Sequence, residues 1–225
     1  MTTPLRTAAY TGDRPEVRAL IPATATRVLD LGCGGGALGA ALKRERDVEV
    51  VGVESDPEAA AAARERLDLI VEADLDDLAT RPGGLDELGR FDCLVAADSL
   101  EHLRDPWTVL ARAAELLEPG AAAVVSLPNV RFFEALWQLV VRGRWPLREQ
   151  GIFDRTHLRW FALPDARELL EGAGLRVVGV EPVIRIRPLG SRFDRWFAWL
   201  ARTPLRELFA FQFVLAAERD TLPRR

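Results

Sequence analysis

The sequence predicts an α/β protein built on a doubly wound sheet of seven strands, and three observations carry that reading. Val28, Leu29 and Leu31 form a short apolar strand that runs into Gly32, Gly34, Gly35 and Gly36, broken only by Cys33. Ala37, Leu38, Ala40, Ala41 and Leu42 then open a helix. From there to Leu127, strand-like runs alternate with helical runs of about ten residues, the rhythm of a parallel, doubly wound sheet. Finally, after that rhythm breaks, the chain closes on one more apolar strand, predicted over 208–217.

The elements follow in order. Residues 15–21 make a short helix with Pro15 at its start and Pro22 after it. Strand 1 is 27–31 and the next helix 37–46. Residues 48–54 turn β-branched and form strand 2. Ser55 reads as the N-cap of the following helix, with Glu58 completing a capping box and Pro57 in the first turn. That helix extends to about residue 67. Strand 3 is 69–71, followed by an acidic stretch, Glu72 to Leu78. Residues 80–89, rich in glycine, read as a surface loop. Strand 4 is 91–97. Arg104-Asp105-Pro106-Trp107 opens a helix to 117, and Glu118-Pro119-Gly120 stops it before strand 5 at 121–127. Helix 164–171 and strand 6 at 175–180 resume the pattern.

Two stretches interrupt it. Residues 129–160 carry Phe132, Phe133, Trp137, Trp145, Phe153 and Trp160, with six arginines. Phe133, Leu136, Trp137 and Val140 recur at helical spacing and predict one amphipathic helix. Residues 185–206 hold Phe193, Trp196, Phe197 and Leu200 among Arg192, Arg195 and Arg202. That pattern suits a lid over an anionic acceptor, a helix lying on an anionic membrane, or an aromatic cover on the sheet edge.

Composition excludes several classes. A chain of 225 residues, 48% apolar and 28% charged, is an ordinary globular one and suits a single domain over 1–225 with decorations. Its net charge of −4 does not favour nucleic acid. Cys33 and Cys93 are the only cysteines and read as reduced apolar fillers. Residues 1–11 lack the apolar core of a signal peptide, and no run reaches the ~20 apolar residues of a membrane span. The expected location is cytoplasmic.

The glycine turn carries the chemistry. A strand, a glycine turn and a helix N-terminus make a small-molecule site at the carboxyl edge of a parallel sheet. Gly34, Gly36 and Gly39 also fit the dinucleotide fingerprint, and Glu54 lies where an acidic residue would take a ribose in either case. The spacing Asp30-x-Gly32-x-Gly34-x-Gly36 is the more specific feature.

That spacing resembles motif I of the class I S-adenosylmethionine-dependent methyltransferases. Further matches are 15–21, Val53-Glu54-Ser55-Asp56-Pro57, Ala73-Asp74-Leu75, 98–106, Leu117-Glu118-Pro119-Gly120 and 154–161. The pattern is most similar to the ubiquinone-type O-methyltransferases and bacterial glycan and secondary-metabolite relatives. The resemblance implies a Rossmann-like sheet, mostly parallel, with strand 7 antiparallel between strands 5 and 6. It implies S-adenosylmethionine as cofactor, held by Asp30, Gly32, Cys33, Gly34, Gly36, Glu54, Ser55, Asp74, Leu75 and Ala97. Glu54 would accept the ribose hydroxyls and Asp74 the adenine amine. No metal is expected.

Methyl transfer needs alignment and a dry cleft more than catalytic side chains, yet a hydroxyl acceptor usually wants a base. The chain has two histidines, His102 and His157. His157, with Asp154 three positions before it to orient the ring, is the first candidate base, and Asp98 at the tip of strand 4 the second. His102 reads as a packing and capping residue. The expected acceptor is a small molecule, a glycan or a lipid-linked compound, methylated on oxygen, or alternatively on nitrogen or carbon. A nicotinamide oxidoreductase and a non-catalytic binding module are the competing readings. The first lacks a recognisable hydride-transfer acid, and the intact glycine motif argues against the second.

Overall fold

The computed structural model describes residues 12–184 and 206–220. Their strands form one sheet in the order β3-β2-β1-β4-β5-β7-β6. β1 is Arg27–Leu31, β2 Glu49–Glu54, β3 Leu69–Glu72, β4 Phe91–Ala97, β5 Leu117–Pro128, β6 Leu175–Val183 and β7 Gln212–Arg219. β1, β2, β3, β4 and β5 pair in parallel. β7 is antiparallel to both β5 and β6, as the resemblance implies.

Because side chains alternate across a strand, each strand feeds two cores. Leu29, Leu31, Val51, Val53 and Leu94 face one layer of helices, and Val28, Val50, Cys93, Val95 and Val124 face the other. The helices are α1 Pro15–Arg18, α2 Ala37–Glu45, α3 Pro57–Arg64, α4 Leu75–Thr80, α5 Pro106–Glu115, α6 Phe133–Leu136, α7 Leu163–Gly172 and α8 Arg206–Phe209. All of the strand tips that matter below lie along one carboxyl edge.

The structure departs from the sequence reading in several places. Asp56, not Ser55, caps α3, because its carboxylate reaches the N–H groups of Glu58 and Ala59 at 3.0 Å. The acidic stretch after β3 is a helix, α4, capped by Asp74. The 80–89 loop is partly core: Leu85 and Leu88 are buried around a 3-10 turn, Asp86–Leu88. A Cβ on Gly84 would meet the Leu78 carbonyl oxygen at 2.1 Å, so that turn requires glycine.

The amphipathic helix of the first interruption forms with the opposite face inward. α6 continues into a π-helical turn, Trp137–Val141, and Phe133, Trp137 and Val140 are 48%, 56% and 76% exposed. Phe132, Ala135 and Gln138 are buried instead. The cause lies at the entry. Asn129 donates to the carbonyls of Glu207 and Ala210 at 2.6 and 2.9 Å, which fixes the chain so that Phe132 meets Phe211 edge to face at 5.6 Å. Ile152 and Phe153 complete this small core. The second interruption, with its proposed lid or membrane helix, lies outside the described residues, apart from α8 at its end.

Candidate active site

The first half of the site is backbone. Gly32 and Cys33 both donate to the Val53 carbonyl, at 2.9 and 3.1 Å, which pins the glycine turn to β2. Gly32, Gly34 and Gly36 have φ of 73°, 54° and 74°, a region closed to most side chains. A Cβ on Gly32 would also lie 2.6 Å from Ser99 Cβ. Cys33 is buried filler; burial first, then Asp30 and Glu54, push its thiol up and keep it protonated.

Three carboxylates crown the strand tips. Asp30, at the end of β1, is 2% exposed, and burial, then the Glu54 charge, raise its carboxyl to about 7. Glu54, at the end of β2, is gripped from two sides: Gly34 N–H donates to Oε2 and Asp56 N–H to Oε1, each at 2.8 Å. Each oxygen keeps another lone pair, so a vicinal diol can still bind across the carboxylate. Asp74, beyond β3, takes the N–H groups of Asp76 and Asp77 on the single oxygen Oδ1. Leu75 beside it is buried and Ser55 is exposed. Behind these, buried Asp76 accepts from the N–H groups of Arg104 and Asp105 and ties α4 to the start of α5.

A narrow slot runs beside this edge, lined by Gly12, Arg14, Asp30, Gly32, Cys33, Gly34, Ala37, Leu38 and Ala97. The carboxylate acceptors along this edge suit a nucleoside bearing an amino-acid tail. Glu54 fits a ribose diol, Asp74 an exocyclic amine, and buried Asp30 a cationic group.

Next to the slot opens a cavity of about 390 Å³. Gly12 and Arg14 line both spaces, and the boundary falls between Ala97 and Asp98. Asp98 has φ of 53°, and both of its oxygens are engaged. Oδ1 accepts from the Ser126 hydroxyl at 2.6 Å and Oδ2 pairs with Arg14 at 2.5 Å. The far wall is Glu101, His102 and His157. The two imidazoles meet edge to face at 4.8 Å, and His102 Nδ1 lies 3.0 Å from the Thr156 hydroxyl.

His157 is buried and lines the cavity, but the Asp154 carboxylate does not orient its ring; Asp154 meets it only through the backbone, its carbonyl accepting the His157 N–H at 3.2 Å. Asp154 accepts the Thr156 N–H and hydroxyl at 2.8 and 2.7 Å, because the segment is a tight turn and not the helical turn the spacing predicts. The carboxyl near His157 is Glu101, with 3.9 Å between Oε1 and Nε2. Burial first, then His102, lower the His157 pKa, so the ring is held neutral. Burial first, then Asp98, raise the Glu101 carboxyl well above the ordinary range. Among the described residues, Glu101, His102 and His157 also form a group whose ligand atoms lie within 4.8 Å of one another, compact enough for a metal ion.

Sequence reasoning reached Asp98 and His157 but missed Arg14, Glu101, Ser126 and Gln212. Glu101 stands beside His102 in a matched segment, and that adjacency was the one available signal. The arginines of the first interruption do not line the cavity: Arg131, Arg148 and Arg155 pair with Glu207, Glu134 and Glu149.

Comparison with known proteins agrees with this geometry. A family described as a methyltransferase domain matches residues 6–180. The ubiquinone biosynthesis O-methyltransferase of Xylella fastidiosa is 33% identical over 78% of this chain and 68% of its own length. That of Aeromonas salmonicida is 27% identical over 74% and 69%. The fold matches an S-adenosylmethionine-dependent methyltransferase from Mesorhizobium loti with a TM-score of 0.62, at 20% identity, over 96% of this chain and all of that one. It also matches magnesium protoporphyrin IX methyltransferase of Synechocystis with bound S-adenosylhomocysteine, at TM-score 0.60, 14% identity and coverage of 96% and 84%. With its glycine turn, crowning carboxylates and antiparallel seventh strand, the chain belongs to the methyltransferase-domain family and is a class I S-adenosylmethionine-dependent methyltransferase.

Proposed function

We propose that the enzyme methylates a hydroxyl group of a small-molecule, glycan or lipid-linked acceptor seated in the cavity beside β4. One observation carries the proposal: slot and cavity share Gly12 and Arg14 and divide between Ala97 and Asp98, so groups lying in the two spaces meet at the strand tip. Names of relatives at 33% and 27% identity, both O-methyltransferases, support oxygen as the acceptor atom.

In this reading Asp30, Gly32, Cys33, Gly34, Gly36, Glu54, Ser55, Asp74, Leu75 and Ala97 hold the cofactor, which supplies a methyl group activated on a sulfonium. When bound, that sulfonium would serve as the leaving group for attack by the acceptor oxygen, and would keep the electron pair of the bond to the methyl carbon. The hydroxyl proton passes to the His157 imidazole, which burial keeps neutral and ready to accept it. Asp98 stands second for that proton, because Ser126 and Arg14 already occupy its oxygens.

The test is turnover of a catechol probe, read as a mass gain of one methyl group. His157→Ala should leave S-adenosylhomocysteine affinity nearly intact and cut turnover by ~10²-fold, the scale of a lost general base. Normal turnover in that variant would make His157 structural and move the proton to Asp98.

A further inference from the structure

The cavity wall carries an imbalance of charge. Among the described residues it presents four carboxylates, from Asp13, Glu16, Asp98 and Asp154, and the buried Glu101 carboxyl, against one guanidinium, Arg14. Arg14 is committed to Asp98 at 2.5 Å and reaches Glu16 at 3.9 Å. Asp13 lies 3.5 Å from Arg18, and Asp154 is hydrogen-bonded by Thr156.

Glu101 has no such match. It is 1% exposed, and neither of its side-chain oxygens has a hydrogen-bond partner. The nearest imidazole nitrogen, at 3.9 Å, is beyond hydrogen-bond reach. Gln212, buried on the same wall, leaves its side-chain nitrogen unpartnered as well. Buried polar groups are almost always paired, and an orphaned acceptor facing a cavity marks where a ligand's donor belongs. A carboxylate-bearing or phosphorylated acceptor would enter against like charge with, among the described residues, one committed arginine to receive it. A cation meets the opposite situation.

Building on the O-methyltransferase reading, we propose that the acceptor is a cationic hydroxyl compound, an aminated phenol or amino alcohol, whose ammonium group docks on Glu101. Entry of the cation holds Glu101 ionised, its proton leaving to solvent, and the ammonium then donates to the two orphaned oxygens and holds the hydroxyl toward Asp98 and His157. The charged nitrogen is a recognition group and not the methylated atom, since a protonated amine has no free electron pair.

The test uses the full chain with S-adenosylmethionine and three catechols that differ in one group: dopamine, ethylcatechol and dihydrocaffeate, which carry an ammonium, no charge and a carboxylate. The expected order of kcat/KM is the same as that order, with dopamine ahead of dihydrocaffeate by about tenfold or more. Glu101→Gln should draw the ratio toward one, chiefly through KM. A preference for dihydrocaffeate, or a ratio that Glu101→Gln leaves unmoved, overturns the proposal. So does a chelator that abolishes the preference, which would place a metal ion on Glu101, His102 and His157. Methyl found on the dopamine nitrogen overturns the oxygen reading and, with it, the role of the ammonium as a recognition group. If none of the three is methylated, melting of the S-adenosylhomocysteine-loaded protein decides: stabilisation by dopamine over dihydrocaffeate supports the proposal, and its absence defeats it.

Discussion

The two halves of the site are built in different ways from the same sheet edge. The half proposed to hold the cofactor is local. Asp30 to Gly36 is one turn, Glu54 is gripped by Gly34 and by Asp56 two residues on, and Asp74 caps the helix it begins. The acceptor half is composite: Arg14, Asp98 to His102, Asp154 to His157 and Gln212 come from four distant segments. A local site leaves its spacing in the sequence, because backbone conformation dictates residue type at each step. A composite site leaves separate residues, each of which has an ordinary structural use.

The largest expected effect breaks the first half alone. Gly34 sits at φ 54°, and its N–H is one of the two that hold Glu54. Gly34→Val forces a β-branched residue into the left-handed region. S-adenosylhomocysteine should raise the melting temperature of the parent protein by mass action and leave that of the variant unchanged. A ligand-induced shift that survives in the variant would show that the turn does not carry the cofactor.

Next in size is a pH effect at Asp30. Its carboxyl titrates near 7 in the folded protein, against 3.8 ordinarily. Below the lower value both states hold the proton and there is no penalty. Between the two, the unfolded chain ionises while the folded one does not, so stability falls as pH rises, by up to about 4 kcal/mol above the higher value. Asp30→Asn removes this titration. In the absence of cofactor, its advantage in melting temperature over the parent should therefore grow from about pH 4 to about pH 7. A constant difference would mean that Asp30 is better solvated than its burial implies.

Smaller again is Glu54→Gln. An amide cannot accept from both the Gly34 and Asp56 N–H groups and from a diol as a carboxylate does, a difference of ~1.5–3 kcal/mol. Affinity for S-adenosylhomocysteine, measured by titration calorimetry, should drop by about one to two orders of magnitude. Unchanged affinity would reduce Glu54 to a brace for the turn.

The same contrast explains what the sequence made legible. Alternation, glycines and β-branched runs specify strands and their connections, so the sheet and the glycine turn at its edge were readable at residue level. Phe133, Trp137 and Val140 show where pattern misleads: periodicity located the helix, but the Asn129 anchor, 78 and 81 residues from its partners in sequence, decides which face turns inward. Nothing in a sequence marks Glu101 as a buried carboxyl without a partner, or Arg14 as the ion pair of Asp98. Those properties arise only when β4, the 154–157 turn and the start of the chain converge.

The smallest effect separates two neighbours at the head of α3. The motif places the cap at Ser55, whereas the folded chain puts it at Asp56, whose Oδ1 takes the N–H groups of Glu58 and Ala59. Ser55 is exposed and makes no cap bond. Asp56→Ala should therefore cost about 1 kcal/mol, the usual value of a lost N-cap, and lower the melting temperature by about 2–4 °C. Ser55→Ala should leave the unliganded melting temperature where it was. With S-adenosylhomocysteine added the order reverses if Ser55 touches the cofactor: Ser55→Ala then loses part of the ligand-induced shift. Asp56→Ala keeps most of that shift, because the Asp56 contribution to the Glu54 grip is a backbone N–H that the substitution preserves. A stability loss in Ser55→Ala would return the cap to the position the motif assigns it.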